Sequence, residues 1–419
     1  MRINKKLFPP WTVPIFLLLL AFINFGLHCN SVGFYFDDLP FLWLTKLRGI
    51  SSITELDPGR PLSGWLLMLG VRIFGYKPLY WQAFSAFGRW LSAVGLWWMV
   101  LQLYPKRVYT ATLISVIFLV YPGFGHQYIP VNSSRHIYPY ALTVVSMGFM
   151  LLGVRSSCLR RWLFVLISFI LAAVSMLTTD YYYGLELLRP VLIWVVLSEK
   201  FKNLKQRFIE TIKIWSPFLL LVFVFYLRRS LHKEYYQVGI FGSLLEGGLL
   251  SSLFILSQTI FQDLIEVSLI AWERVVQIQE LISLDTPSDK LFTLFFFVAF
   301  FLTVIYFLKL KVTKLYNQDS YSIKSNIQMA FVGAWALLVA GLPMWLIPLL
   351  IRLDFPENRF TLPLALGVSI LFVSVLKLFV KNRAKQIIIV GVAIGFATSS
   401  HFQLAKSFKT ERHLQKEFI

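Results

Sequence analysis

Long apolar runs separated by short polar segments make up most of this chain. A helix needs about 20 apolar residues to cross a bilayer, and eleven runs approach or reach that length. They lie near residues 12–29, 82–104, 107–122, 137–154, 162–179, 185–198, 211–227, 291–308, 327–350, 361–379 and 386–400. The stretch 61–75 is apolar but only about four helical turns long, and it contains Arg72, so we predict an interfacial or re-entrant segment there. The pattern predicts an all-α polytopic membrane protein with a single domain over residues 1–419.

The composition supports this fold class. Of the 419 residues, 57% are hydrophobic, 17% are aromatic and only 15% are charged, which lies outside the range of soluble globular proteins. No small-residue cleavage pattern follows the first apolar run, so the first helix is predicted to stay uncleaved. Cys29 and Cys158 fall on opposite sides of the predicted topology, so no disulfide is expected between them, and no metal-ligand spacing is present.

The net charge of +19 is distributed unevenly between the two sides of this topology. With the N-terminus inside, the inner segments carry 21 basic residues against three acidic ones, Glu199, Glu210 and Asp319. Cytoplasmic loops are typically rich in Lys and Arg, so we predict a cytoplasmic N-terminus and a C-terminus outside. The basic charge is explained by this orientation, and no nucleic-acid partner is expected.

Two sizeable loops and a tail are predicted on the outer face. The first loop spans 30–81, the second spans 228–290, and residues 401–419 form a short tail. In the second loop Glu266, Glu273 and Glu280 recur every seven residues, which keeps them on one face of a helix. We predict an amphipathic helix on the membrane surface there. The alternative is two short extra spans within 242–284, which preserve the same parity.

The first outer loop begins with two adjacent carboxylates, Asp37 and Asp38, just after the first apolar run. An ionised carboxylate at that depth is costly unless it has a function or a partner. Neighbouring side chains point in different directions, so we expect one carboxylate to face a substrate while a backbone donor or a cation holds the other. The alternative is that Asp-Asp-Leu-Pro simply caps an outer helix.

A second group of polar residues lies at a later outer helix end, from Thr179 to Pro190. Asp180 precedes three tyrosines, and Glu186 and Arg189 are one helical turn apart, so these two are expected to pair. Pro190 should kink the helix beside them. These features predict a pocket wall. An interfacial aromatic belt with a local ion pair is the alternative.

Several cations are predicted on the outer face. Arginine binds phosphate oxygens bidentately, and histidine can add a donor. The candidates for binding an anionic substrate are Arg60, His126, Arg135, His136 and Arg359. The alternative is that each orders a loop or reaches towards the headgroups. Arg89 lies roughly 10 Å inside the second predicted helix by its rise per residue, so its expected partner is an acid of the pocket or a lipid phosphate.

Taken together, these motifs resemble those of bacterial GT-C-fold glycosyltransferases. The resemblance consists of the acidic pair after the first helix, the Arg60-Pro61-Leu62 stretch before an interfacial helix, the aromatic-acidic turn at 179–190, and the many apolar spans. It covers the layout of roughly the first 200 residues, and the remainder only in hydropathy. It implies transfer of a sugar from a polyprenyl-phosphate carrier to a hydroxyl of a glycan, lipid or protein acceptor, at the outer face of the bacterial inner membrane.

The resemblance also assigns roles to residues. Asp37 or Asp38 matches the family's first-loop acid, which acts as general base or organises the acceptor or a metal ion. The family's second-loop acidic motif has counterparts only at Asp180 and Glu186, so no cofactor is firmly implied and a divalent metal ion stays an alternative.

The expected chemistry is direct displacement at the anomeric carbon with inversion. A phosphate leaving group needs little protonation, so the reaction requires a carboxylate for the acceptor proton, here Asp37, and cations for the departing phosphate. Arg60, Arg135 and Arg359 are the expected phosphate contacts.

Three other functions compete with this one. A lipid-linked-sugar transporter should carry charged residues and broken helices near the bilayer midplane. A polysaccharide polymerase or ligase would depend on Arg228, Arg229 and His232 of the second loop. A noncatalytic membrane subunit would carry a decayed site.

Overall fold

The computed structural model describes residues 7–55, 59–231, 249–311, 323–347 and 349–417. Within these ranges the regular structure is helical, and the only β-type pairing is an isolated bridge between Phe8 and Leu310. The α-helices of at least six residues are α1 (Val13–Asn24), α2 (Asp38–Arg48), α3 (Pro61–Phe74), α4 (Pro78–Leu103), α5 (Val108–Leu119), α6 (Pro130–Arg155), α7 (Cys158–Thr178), α8 (Arg189–Leu197), α9 (Leu204–Leu231), α10 (Leu249–Ile265), α11 (Ile278–Ser283), α12 (Pro287–Lys309), α13 (Ile323–Trp345), α14 (Ala365–Phe379) and α15 (Arg383–Glu417).

Eight stretches of the described chain are helical, long and apolar enough to cross a membrane. They are Pro10–His28, Pro130–Arg155, Leu159–Thr178, Leu204–Arg228, Leu250–Ser283, Pro287–Lys309, Ile323–Trp345 and Arg383–Leu414. The prediction of an all-α polytopic membrane protein is therefore confirmed. The count of eleven spans is not confirmed. The runs predicted at 107–122, 185–198 and 361–379 form α-helices of only 12, 9 and 15 residues, and the run at 82–104 is not among the eight stretches. Leu250–Ser283, which lies in the predicted second outer loop, is one of the eight, as in the alternative with extra spans there.

Helix α5 lies at the centre of the main core. Every residue from Tyr109 to Leu119 is buried. Helices α1, α4, α14 and α15 pack around it, so no side of α5 faces the lipid or water. A helix in this position has no polar face to present, which explains why its sequence contains no charged residue and its polar side chains are hydroxyls.

Basic side chains lie at the end of the bundle where α6 ends. At one end Arg155, the last residue of α6, binds Glu199 at 2.8 Å, and Lys200 donates to the carbonyl of Val154. The cavity described below lies at the other end, where α6 begins. Helix α6 has 26 residues and spans roughly 39 Å by its rise per residue, so it separates the basic end from the cavity end.

Helices α2 and α3 build a small second core beside the cavity end. The 3-10 turn Ile50–Glu55 packs against both helices, and the buried members of this core are Leu42, Ile53, Leu67, Met68, Val71, Trp81 and Val131. The outer side of α3 exposes Trp65, Leu69 and Ile73. With 14 residues and an exposed apolar side, α3 has the size and pattern of the interfacial segment predicted at 61–75.

Two predicted outer segments differ from their observed structure. Glu266, Glu273 and Glu280 do not share one continuous helix, because α10 passes through a π-helical segment at Glu266–Ile270 and the chain turns before α11. A π-helical segment changes the rotation per residue, so the sevenfold spacing no longer keeps one face. The predicted tail 401–419 is helical as far as Glu417, where α15 ends.

Candidate active site

A cavity of about 270 Å³ lies at the end of the bundle where α6 begins. Its wall combines charged and aromatic side chains from five separate parts of the chain. The lining residues are Asp37, Phe41, Arg60, Asn132, Arg135, His136, Tyr181, Leu349, Arg359 and Phe360. Five of the predicted site residues are thus brought together, with three arginines facing a single carboxylate.

Asp37 is the carboxylate of this cavity. Its Oδ2 oxygen accepts a hydrogen bond from Asn132 Nδ2 at 2.9 Å and from Arg359 Nη1 at 3.3 Å. Burial raises the pKa of Asp37 above its usual value, while the charges of Arg359 and Arg135 oppose that rise. Both contacts use Oδ2, so Oδ1 is the oxygen to which a substrate proton can be assigned.

Asp38 lies behind Asp37 and is fully buried, outside the cavity wall. Its Oδ1 oxygen accepts a hydrogen bond from the backbone N–H of Asn132 at 2.8 Å. That N–H belongs to the first turn of α6, whose amides have no partner within the helix. Burial raises the pKa of Asp38 well above its usual value, and the Asn132 amide acts in the opposite direction. Asp38 therefore caps α6, so of the two candidate acids, Asp37 and Asp38, only Asp37 lines the cavity.

The segment before the acidic pair is held by the last helix. The Tyr35 hydroxyl donates to the carbonyl of Phe408 at 2.5 Å, and Arg412 donates to the carbonyls of Asn30 and Val32 at 3.0 and 3.2 Å. Phe36 then adopts a positive φ of 48°, an uncommon conformation for a bulky residue. At this turn the chain ends its contact with α15, and the following residues, Asp37 and Asp38, point towards α6.

Arg60 and Asp180 form a salt bridge of 2.7 Å at the cavity. Arg60 comes just before α3, where the chain enters the helix at Pro61. Its guanidinium also lies over the ring of Tyr181, 5.5 Å from the centroid. The prediction that the aromatic turn after Thr179 forms a pocket wall is thus met by Tyr181, which lines the cavity.

Helix α6 contributes Arg135 and His136 to the wall. Arg135 Nε donates to Ser63 Oγ at 2.6 Å, and the guanidinium lies over the Phe41 ring at 4.8 Å. The ring of His136 stacks on Tyr181 with centroids 4.6 Å apart. Both side chains are buried, so their positions are set by packing against α3 and the aromatic turn.

Arg359 reaches Asp37 from the 3-10 turn Glu357–Thr361. His126 lies behind this turn and outside the cavity wall, which corrects its assignment as a substrate contact. Its Nδ1 atom is 2.7 Å from Asn358 Oδ1, and its ring stacks on Phe355. Burial lowers the pKa of His126 to about 4, so the imidazole is neutral at physiological pH and orders the chain that carries Arg359.

Arg89 is not a ligand of the cavity, contrary to the prediction. It is buried within the bundle and donates to the carbonyls of Phe118, Leu119 and Tyr121 at 3.1, 3.1 and 3.3 Å. These carbonyls lie at the C-terminal end of α5, where helix carbonyls have no partner of their own and the helix dipole favours a cation. The expected acid or phosphate partner is replaced by a helix end.

Glu186 and Arg189 do pair as predicted, but they also lie outside the cavity wall. Arg189 Nη2 donates to Glu186 Oε1 at 2.7 Å and to Ser146 Oγ at 2.9 Å, and both charged side chains are buried. Ser146 is well inside α6, so this ion pair lies deep in the bundle and links α6 to α8. Pro190 does not kink a continuous helix, because a 3-10 turn at Tyr183–Leu188 precedes it and α8 begins at Arg189.

Asn132 and the aromatic side chains Phe41 and Phe360 are cavity residues that the sequence analysis missed. Asn132 contacts both acids of the first loop, through its side chain and its backbone. An asparagine two residues after a proline indicates a helix start, but it does not indicate which distant side chains the asparagine will meet.

The acids do not fit a metal site. Asp180 and Glu186, the counterparts of the second-loop motif, are bound to Arg60 and Arg189, and Asp37 is bound to Arg359. Across the described ranges, no group of three His, Cys, Asp or Glu side chains is placed to share an ion.

Comparison with known proteins adds little to this description. No protein-family model matches the chain, and no curated protein matches it. The crystal structure of ArnT from Cupriavidus metallidurans in the apo state is similar to the chain with a TM-score of 0.37 and 16% sequence identity. The match covers 96% of this chain and 78% of ArnT. A likeness this distant assigns no chemistry to the cavity.

Proposed function

We propose that this protein is a membrane glycosyltransferase that moves a sugar from a polyprenyl-phosphate carrier to an acceptor hydroxyl, with inversion, at the cavity around Asp37. The observation that carries the proposal is the composition of the cavity wall, where one carboxylate with a raised pKa lies among three arginines. A proton acceptor beside an anion-binding surface is what transfer from a sugar phosphate requires.

In the proposed reaction, the acceptor hydroxyl oxygen attacks the anomeric carbon from the side opposite the phosphate. The new glycosidic bond forms as the bond from that carbon to the phosphate oxygen breaks, and the phosphate leaves with the bonding electrons. Asp37 Oδ1 takes the hydroxyl proton. A base with a raised pKa binds this proton more strongly than an exposed aspartate would, which favours its transfer.

Arg60, Arg135 and Arg359 are proposed to stabilise the phosphate. The arginines lining the cavity outnumber the lining carboxylate three to one, so the wall has an excess of positive charge that an anionic ligand can complete. Arg60 and Arg359 are each fixed by a carboxylate, and Arg135 is fixed by Ser63 and Phe41. Guanidinium groups held in this way are already oriented for binding before the substrate arrives.

A lipid carrier agrees with the surroundings of the cavity. A second cavity of about 540 Å³ lies along α2, and most of its lining residues are apolar. Its lining residues are Phe34, Leu39, Pro40, Leu42, Trp43, Lys46 and Tyr76. A prenyl chain lying there would run along α2, the helix that also contributes Phe41 to the first cavity.

The competing functions have less support. The charged pair at depth, Glu186 and Arg189, is sealed and neutralised, whereas a transporter needs an accessible binding site near the midplane. For the polymerase alternative, Arg228 does not line the cavity, His232 lies outside the described residues, and the Arg229 side chain is not described.

The test compares Asp37→Asn with Asp38→Asn in purified protein reconstituted with a polyprenyl-phosphate sugar and candidate acceptors. Asp37→Asn should lower kcat by about 10²–10⁴-fold, because asparagine cannot accept the proton. Asp38→Asn is the matched control: its amide oxygen can still accept the Asn132 N–H, so we expect less than about tenfold loss.

Full transfer activity in Asp37→Asn would contradict the proposal. A product that retains the anomeric configuration, measured by NMR of the released glycoside, would contradict the single-displacement step.

A further inference from the structure

We propose that Asn132 is a positioning residue that fixes the orientation and the protonation of the general base, Asp37. The inference rests on the proposed function, in which Asp37 accepts the acceptor proton. Asn132 is not assigned any role by the chemistry described above, and it makes no contact that the reaction itself requires.

The geometry gives Asn132 a position that no other residue of the cavity shares. Its side-chain Nδ2 donates to Asp37 Oδ2 at 2.9 Å, while its backbone N–H donates to Asp38 Oδ1 at 2.8 Å. Asn132 is buried in the first turn of α6. Asp38 anchors this turn, and the same turn carries the Asn132 amide that donates to Asp37. One residue thereby sets the spacing between the two carboxylates.

The contact also selects one oxygen of Asp37. Asn132 and Arg359 both bind Oδ2, one from α6 and the other from the 3-10 turn Glu357–Thr361. A carboxylate held by two donors on one oxygen cannot rotate without losing one of them. Oδ1 is then kept for the acceptor hydroxyl, and the near-attack geometry is set in advance.

The Asn132 side chain favours the charged form of Asp37 because an N–H donor stabilises a carboxylate more than a carboxylic acid. Several charged or titratable groups face Asp37, and these are Asp38 on α2, Arg135 and His136 on α6, Arg359 on the 3-10 turn, and Arg60 before α3. Removing only the Asn132 donor leaves all of them in place. The expected result is a rise in the pKa of Asp37.

The experiment exploits the separation of side chain and backbone. Asn132→Ala removes the side-chain donor to Asp37 but keeps the backbone N–H that donates to Asp38. The chain contains nine aspartates, so selective ¹³Cγ-aspartate labelling in nanodiscs gives a tractable NMR titration, and Asp37→Asn identifies the Asp37 signal. We expect the midpoint of Asp37 to rise by about one pH unit in Asn132→Ala. Asn132→Ser should shift it in the same direction.

Ser134→Ala is the matched control on the same turn of α6, because the Ser134 hydroxyl bonds only to the carbonyl of Pro130 within the helix. Its Asp37 midpoint should equal that of the wild type. In sugar-transfer assays, Asn132→Ala should lower kcat by about ten- to a hundredfold with little change in the donor KM, because the arginines that hold the phosphate are intact.

An unchanged Asp37 titration in both Asn132 variants would overturn the inference. The titration needs no substrate, so it separates this inference from the proposed function. If wild-type protein transfers no sugar while Asn132→Ala still raises the Asp37 midpoint, the glycosyltransferase proposal fails and the control of Asp37 by Asn132 stands.

Discussion

At the scale of single residues, the two adjacent aspartates show how neighbouring carboxylates take different roles. Asp37 lines the cavity and meets two side-chain donors, whereas Asp38 is fully buried and meets a backbone amide. The difference follows from direction, since consecutive side chains on a helix point about 100° apart. The same acidic pair thus supplies a candidate base and a structural cap.

The pH dependence of the reaction tests the environment of Asp37. The base acts in its deprotonated form and burial raises its pKa, so kcat/KM should fall with decreasing pH at a higher pH than for an exposed aspartate. The positive charge of Arg359 lowers the pKa. Arg359→Gln should therefore move the acidic limb upward by about one pH unit.

Arg359→Lys is the control for this profile, because lysine keeps the positive charge and should leave the acidic limb near its wild-type position. The measurement is kcat/KM for the donor across pH. Acidic limbs at the same pH in wild-type and Arg359→Gln protein would show that Asp37 does not govern the profile.

At the scale of helices, charged side chains at helix ends account for several residues that resemble ligands in the sequence. Asp38 binds an amide at the start of α6, and Arg89 binds carbonyls at the end of α5. Both ends lie inside the protein, where an unpaired backbone group would cost free energy. A buried charge in a membrane protein can therefore complete a helix instead of binding a substrate.

Replacement of Arg89 tests this structural role. Arg89→Met removes the donors to the carbonyls of Phe118, Leu119 and Tyr121, so the free energy of unfolding should fall by about 3 kcal/mol, the scale of lost hydrogen bonds to a charged group. The donor KM of the protein that remains folded should be unchanged. Thermal unfolding in detergent and steady-state kinetics measure the two effects.

Arg72→Met is the matched control, since Arg72 is exposed on α3 and should contribute little to stability. A large increase in donor KM in Arg89→Met, with unfolding at the wild-type temperature, would instead support a direct substrate contact.

At the scale of the whole molecule, the helices bring basic segments to one end and the cavity to the other. Helix α6 runs from Asn132 and Arg135 at the cavity to Arg155 at the basic end. Helix α15 runs in the opposite direction, from Arg383 to Arg412, which binds the segment before the acidic pair. Together with the positive-inside tendency, this arrangement predicts that the cavity faces away from the cytoplasm.

Cysteine accessibility tests that orientation. In a background with Cys29 and Cys158 replaced, a cysteine at the exposed position Thr410 should react with a membrane-impermeant maleimide in intact cells. A cysteine at the exposed position Lys202 should react only after permeabilisation. The opposite pattern would place the cavity on the cytoplasmic side and contradict the predicted topology.

The fold class could be predicted from the sequence alone, and so could a common face for several side chains of the cavity. Apolar runs and the asymmetry of basic residues depend on local composition, so they can be recognised without knowing any long-range contact. The positions of Asp37, Arg60, Arg135, His136 and Arg359 on one face also followed from counting spans. Helix number was less well determined, because α5, α8 and α14 are buried and need not have the full length of a lipid-exposed span.

Which charged residues form the cavity depends on contacts between distant parts of the chain. Asn132 and Asp38 are 94 residues apart, and Arg359 and Asp37 are 322 apart, so no spacing in the sequence relates them. For the same reason the sequence did not distinguish Arg89, Glu186 and Arg189 from the charged residues that line the cavity. Glu186 and Arg189 bind each other, and Arg89 binds the end of α5. Hydropathy places a charge at a depth in the membrane, but the partner that neutralises it depends on how distant helices pack.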